Sequence, residues 1–421
     1  MKKIIRILVI TILFGTIPVP AQTAPAQLDS LVNRALRVSP KIKMLKAKLS
    51  AAENMVPQVS NLPDPMLSLG LMNLPTNSFS FSQEPMTGKI VGLSQMIPFP
   101  GKLSTMGKAA EKNTEIVNEE LKDAENEIVK NVTNTYYELA FTRKTISIVK
   151  ESRKLLKSIA DVVRTRYSVS SASQQNLLKV ELEITNVNDK LEELHGKESM
   201  ELSMLNSLLL FPADSPIGIR ENLDVKYFSL TQGMLDSLAK ANRPFLKGID
   251  IAEQKATLQK SLAEYDYYPN FNLSLQYTQR DQIAKTNTDL HDLVSIMVGV
   301  TLPLNYGGKV SAKIQEKEAM EDMYDQQYSA SMQMLDANFG TAIAKLNTIK
   351  SRIKLIEEGL LPQAEQTLKA AMAGYQVGKI DFINVIDSEN KLYQIETNLY
   401  KLKTDYLKEI ASLEFLVGTK F

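Results

Sequence analysis

The chain has no cysteine, and its only histidines are His195 and His291. That excludes thiolate metal sites, cysteine nucleophiles, disulfides and a lipid-bearing N-terminal cysteine. A histidine-based metal site within one chain is not expected. Nothing in the sequence pairs a nucleophile with a base. Gly307-Gly308-Lys309 has neither the spacing nor the strand context of a phosphate loop. All the sulfur belongs to methionine, and Met66, Met72, Met86, Met96 and Met106 cluster around two strand-like runs. Thioethers could form a path for soft ions such as Cu(I). Methionine is also a common filler of barrel and helix surfaces, and that plainer reading is preferred here. The residues therefore suggest no enzyme and no bound cofactor.

Charge narrows the partners. Lys plus Arg (49) nearly balances Asp plus Glu (48), so the basic footprint of a nucleic-acid binder is missing. Lys2, Lys3 and Arg6 precede an apolar stretch from Ile7 to Ile17, and Val19-Pro20-Ala21 offers a small-residue cleavage site. Residues 1–21 thus read as a secretory signal. The apolar run is too short for a membrane-spanning helix, and no later run reaches the length one needs. An exported chain of this kind is periplasmic, secreted or part of an outer-membrane barrel.

The elements that must position these residues occur twice. Arg166-Tyr167-Ser168-Val169-Ser170 is matched by Gly374-Tyr375-Gln376-Val377-Gly378, 208 positions on (374 minus 166). At the same spacing Leu177 and Leu178 fall on Val385 and Ile386, and Glu181 on Glu389. Gly101-Lys102 aligns with Gly308-Lys309. After the signal, residues 22–212 and 213–421 therefore read as tandem structural repeats. Such a period is far longer than the roughly 20–50 residues of solenoids.

Each repeat shows the same order. A helical lead, broken at Pro40 in the first repeat, precedes a region with two strands, about 65–98 and about 269–304. A long helical hairpin follows, about 102–209 and about 308–415. From Lys108 to His195 there is neither Gly nor Pro, as a very long helix requires. A helix over 103–167 would rise ~100 Å. The only soft spot is Ser168–Ser173, where the chain is expected to turn. In the second repeat the turn falls at Val377–Lys379, and Asp381 is placed to cap the returning helix. Pro362 should bend or divide the second long helix.

Phe271, Leu273, Leu275 and Tyr277 alternate with Asn272, Ser274, Gln276 and Thr278. Val294, Ile296, Val298, Val300 and Leu302 alternate with Ser295, Met297, Gly299 and Thr301. Runs of about ten residues with one apolar face suit tilted strands crossing a bilayer. Four strands cannot close a barrel, and open edges are not tolerated in hydrocarbon. Three copies would give twelve strands and a lumen. The expected fold is an α+β membrane protein: a trimeric twelve-stranded outer-membrane barrel, four strands per chain, continued by long antiparallel helices. A periplasmic coiled-coil scaffold or adaptor would share the hairpins but not the apolar-faced strands.

In the duplication, the strand–loop–strand–helix order and the tip Tyr375-Gln376-Val377-Gly378-Lys379…Val385-Ile386-Asp387, the chain resembles the TolC-like outer-membrane efflux channels. Gln95-Met96-Ile97-Pro98-Phe99-Pro100-Gly101-Lys102 is similar to the strand-to-helix junction of members serving heavy-metal pumps. The resemblance implies a homotrimer in outer-membrane lipid. It also implies a passive exit duct for metal ions or small toxic molecules, with a periplasmic adaptor and an inner-membrane pump of RND type as partners. It assigns the helix-turn tips, Tyr167, Val169 and Ser171 with Val377, Gly378, Lys379 and Asp381, to the periplasmic mouth and adaptor contact. Tyr375 matches the family's gate tyrosine and Asp387 an aperture acid. Asn384 lies where a second acid often stands, and Ile380 where an arginine can pair with neighbours. Asn176 and Lys179 hold the equivalent first-repeat positions, so the aperture should be lightly charged.

Overall fold

Prolines and glycines set most element boundaries in the computed structural model, which describes residues 27–421; the expected signal lies outside the described residues. Helices α1 (Leu28–Val38) and α2 (Pro40–Ser60) are split at Ser39-Pro40, where Pro40 opens the second helix and the Ser39 hydroxyl accepts the Ile42 N–H. Proline fits there because a first-turn N–H has no intrahelical partner to lose. Strands β1 (Met66–Met72) and β2 (Gly88–Ile97) lead to α3 (Lys102–Ser168) and α4 (Gln174–Leu209). The order then recurs with α5 (Gln232–Asn242), α6 (Pro244–Glu264), β3 (Phe271–Gln279), β4 (Leu293–Val300), α7 (Lys309–Leu355), α8 (Leu361–Gln376) and α9 (Phe382–Val417).

One difference from the sequence reading has a local cause. The alternation in β4 runs on to Leu302 and Leu304, yet the strand ends at Val300. Pro303 cannot donate to a ladder, and Asn305 turns left-handed at φ 42°. The second long helix is divided beside Pro362, as expected. A π-turn over Ile356–Leu360 precedes it, dividing α7 from α8. The wider turn relieves the clash that a proline ring makes with the carbonyl four residues back.

The chain forms two compact units that draw on both repeats. One comprises residues 34–134, 225–359 and 405–421. It holds all four strands in a single antiparallel sheet of order β1-β2-β3-β4. In it α6 packs along α7, and Lys41–Glu127 and Lys48–Glu120 ion pairs (2.6 Å each) join α2 to α3. At the strand-to-helix junctions Gly101 and Gly308 both take positive φ, 91° and 73°. A Cβ on Gly101 would lie 2.5 Å from the Tyr265 hydroxyl, so only glycine fits. Asp266 bridges the two junctions, taking Lys102 at 2.8 Å and Lys313 at 2.6 Å.

The other unit comprises 135–224 and 360–404 with the described residues before Arg34. Here α3, α4, α8 and α9 bury the faces that recur at three- and four-residue spacing. These are Leu156, Ile159, Ala160 and Val163, Val180, Leu368, Ala371 and Tyr375, and Phe382, Val385 and Ile386.

Candidate functional site: a two-faced sheet and paired hairpin tips

Strand register sorts the sheet into two surfaces of opposite character. Leu67, Leu93, Leu275 and Ile296 form one row across the four strands, and Leu69, Val91, Tyr277 and Val294 a second row on the same side. The reverse side carries Ser68, Gly92, Gln276 and Ser295 in one row, and Met66, Ser94, Ser274 and Met297 in another. The apolar rows are uncovered: Leu69 is 76% exposed and Ile296 71%. A water-facing sheet would not carry so continuous an apolar band, whereas a lipid-facing one requires it. Within the chain β1 and β4 each pair on one side only, which leaves two open edges. No helix among the described residues is long and apolar enough to cross a membrane.

The hairpin tips are built by one backbone device used twice. At the first, the Ser170 N–H donates to Tyr167 O (2.9 Å) and the Ser171 N–H to Arg166 O (2.8 Å). At the second, the Gly378 N–H donates to Tyr375 O (3.0 Å) and the Lys379 N–H to Gly374 O (2.9 Å). Both are Schellman caps, in which a left-handed residue lets two N–H groups reach back to the last helical carbonyls. The left-handed residues are Ser170 (φ 59°) and Gly378 (φ 74°), equivalent positions in the two repeats.

Side chains then make the tips unequal. Tyr375 is only 6% exposed, set edge-on to Phe382 with ring centres 5.5 Å apart. The Arg166 guanidinium sits 4.7 Å from the centre of the Tyr375 ring and donates to the Tyr375 carbonyl. The first repeat's last helical turn thus clamps the second repeat's cap. Burial raises the Tyr375 phenol above its usual range, against the Arg166 cation, which lowers it. Glu389, two residues beyond Asp387, is 3% exposed and accepts the Ser152 hydroxyl. Burial pushes its carboxyl above the usual range; the Ser152 hydrogen bond opposes this, and Glu183 and Glu396 add to it. Glu181, its first-repeat counterpart, is exposed and lies 3.9 Å from Arg164.

The structure brings the tip residues Tyr167, Val169, Ser171, Val377, Gly378, Lys379 and Asp381 onto exposed surface. Asp381 sits just before α9, its carbonyl accepting the Asn384 N–H at 3.1 Å. Asn384 and Asp387 lie on the exposed side of α9, opposite buried Phe382, Val385 and Ile386. Tyr375 is core rather than surface. Arg166 and Glu389 carry the tip's chemistry, and the sequence reading gave them no role. A partial signal existed: Arg166 is the one strongly polar residue aligned with a glycine, Gly374, in the repeated motif.

Comparison with known proteins agrees with this geometry. The sequence profile of the outer membrane efflux protein family covers residues 31–208 and 235–419. The chain is 24% identical over 315 residues to the cobalt-zinc-cadmium resistance protein CzcC of Cupriavidus metallidurans, spanning 71% of this chain and 69% of that one. It is 21% identical over 336 residues to the outer membrane protein TolC of Vibrio cholerae, spanning 74% and 72%. Its fold matches the crystal structure of VceC, an outer membrane protein of Vibrio cholerae, with a TM-score of 0.76 at 19% identity, over 94% of this chain and 97% of that one.

Proposed function

The chain belongs to the outer membrane efflux protein family, and from that premise we propose that its paired tips are the periplasmic mouth of a tripartite export assembly. The chain itself is a passive outer-membrane channel, three copies closing four strands each into a twelve-stranded barrel. The apolar rows face lipid and the Ser/Gly/Gln rows face the lumen. In the proposed assembly a periplasmic adaptor protein engages the exposed turns, and an inner-membrane pump, of RND type, supplies metal ions or small toxic molecules. The similarity to a cobalt-zinc-cadmium resistance protein supports a metal cargo. Asp387, three copies around one axis, supplies a ring of negative charge that favours cations. Asn384 contributes no second ring, so the selectivity is modest; an Asp387→Asn channel that keeps its cation selectivity in a planar bilayer would remove this role.

One observation carries the proposal: the same capped turn is displayed twice, 208 positions apart, at the end of α3 and at the end of the α7–π-turn–α8 run, each of which starts within nine residues of a strand. Because the chain has no cysteine of its own, single cysteines at Ser171 and Lys379 can carry a photo-crosslinker. Both should capture the same periplasmic partner in intact cells. Labelling of either position by an impermeant reagent from outside the cell would contradict the placement.

A further inference from the structure

The lumen face of the sheet carries methionine where an aqueous duct needs none. Met66 and Met297 share one lumen row with Ser94 and Ser274, and Met96 lies in the next row, beside Asn272 and Gly299. These are the rows nearest the strand ends that lead into α3 and α7. Met66, Met96 and Met297 are 65%, 50% and 56% exposed. No core packs against them, so the filler role common for methionine does not account for them. Met66 pairs directly with Ser94, which makes Met96 its diagonal cross-strand neighbour. Diagonal positions are about 7–8 Å apart, within mutual reach of long side chains, so both sulfurs can close on one small ion.

We propose that Met66 and Met96, with Met297 in the same row as Met66 on the opposite edge strand β4, form a thioether way-station for soft monovalent cations of the Cu(I)/Ag(I) class. The inference rests on the channel reading, because it needs this face to line the lumen. Thioether sulfur is a soft, neutral donor that selects such ions over hard ones, which prefer oxygen. A neutral ligand pair also holds an ion weakly enough to release it, as conduction requires. The three copies in the trimer give nine such sulfurs near the junction of barrel and helices. With no cysteine in the chain, no thiolate competes for the ion. Among the described residues no cluster of His, Asp or Glu could hold a metal instead.

The test uses the full-length purified channel in planar bilayers, with silver nitrate as the probe and nitrate as the only anion, because chloride precipitates silver. Wild-type current should fall reversibly as Ag(I) is added. In Met66→Leu/Met96→Leu, which preserves size and apolarity, the half-blocking concentration should rise by at least about ten-fold, the loss of roughly 1.4 kcal/mol of binding. Met334→Leu, an exposed methionine of α7, should block like wild type. Equilibrium dialysis of the same proteins against silver nitrate reads the site without any current: the double variant should retain fewer silver ions per chain. A wild-type channel that conducts but ignores Ag(I), or a double variant that binds and blocks like wild type, overturns the thioether site. Silver retained by wild type and lost by the double variant, without conductance in either, would leave the site standing and contradict the channel reading.

Discussion

The two hairpin tips share a backbone, a tyrosine (Tyr167, Tyr375) and a valine (Val169, Val377), and differ in the side chains around them. Both close with the same pair of cap bonds, 208 positions apart. Position by position, Arg166 faces Gly374, Ser170 faces Gly378, Ala172 faces Ile380 and Glu181 faces Glu389. The exchanges are coupled. A Cβ on Gly374 would lie 2.5 Å from Ile380 Cδ1, so the isoleucine requires the glycine, whereas Ala172 leaves room for the arginine. A Cβ on Gly378 would come within 3.2 Å of the Arg166 guanidinium, so the glycine admits the clamp. Duplication kept the turn, and the side chains then specialised. The first tip became the clamp and the second the clamped element.

At the tips, the largest effect should follow from removing the clamp. Arg166→Ala deletes a charged hydrogen bond and a cation–π contact, together about 2 kcal/mol. Amide exchange over residues 374–380 should speed up roughly thirty-fold, a ratio set by that energy. Unchanged exchange would mean the tips are held by packing alone.

Next comes the buried acid. The Glu389 carboxyl is raised above its ordinary value by burial, so the folded tip favours its neutral form. Its contribution is fully present below the unfolded carboxylate pKa of about 4.3 and is lost as pH rises through the higher folded value. Tip amides should therefore exchange faster, relative to intrinsic rates, as pH rises across that window. Glu389→Gln keeps an acceptor for Ser152 and should flatten the dependence. A profile identical in wild type and variant would place the titrating group elsewhere.

The smallest effect is a gain. Ser170 holds a left-handed backbone that glycine adopts without strain, so Ser170→Gly should stabilise the first tip by about 1 kcal/mol. Thermal unfolding of the solubilised protein is the check, and a lower melting temperature would show that the Ser170 side chain makes up for its strain.

Much of this was legible in the sequence because it is local and periodic. β1 and β2 fall inside the expected strand region of about 65–98, and α3 starts and stops within a residue of the helix expected over 103–167. What escaped is long-range. Nothing in Arg166 announces a partner 209 positions away. Glu389 sits on a helix whose neighbours at Asn384 and Asp387 are solvated, and only the packing of α3 against α9 makes it a core residue. Alternation shows that Met66 and Met297 lie on the polar sides of their strands, but register alone puts them in one row. At the end of β4 side-chain alternation continues past Pro303, where backbone pairing cannot, so the strand is shorter than its pattern.

The central claim is that one face of the sheet meets lipid and the other a water-filled lumen. Leu275 and Gln276 are consecutive on β3 and point to opposite faces. Arginine at each in turn, read by the yield of heat-modifiable trimer in outer-membrane fractions, tests the claim most directly. A lipid-facing arginine costs about 2–4 kcal/mol near mid-bilayer, incurred in all three copies, so Leu275→Arg should abolish trimer while Gln276→Arg assembles at near wild-type yield. Equal yields from the two variants, or loss only in Gln276→Arg, would contradict the account.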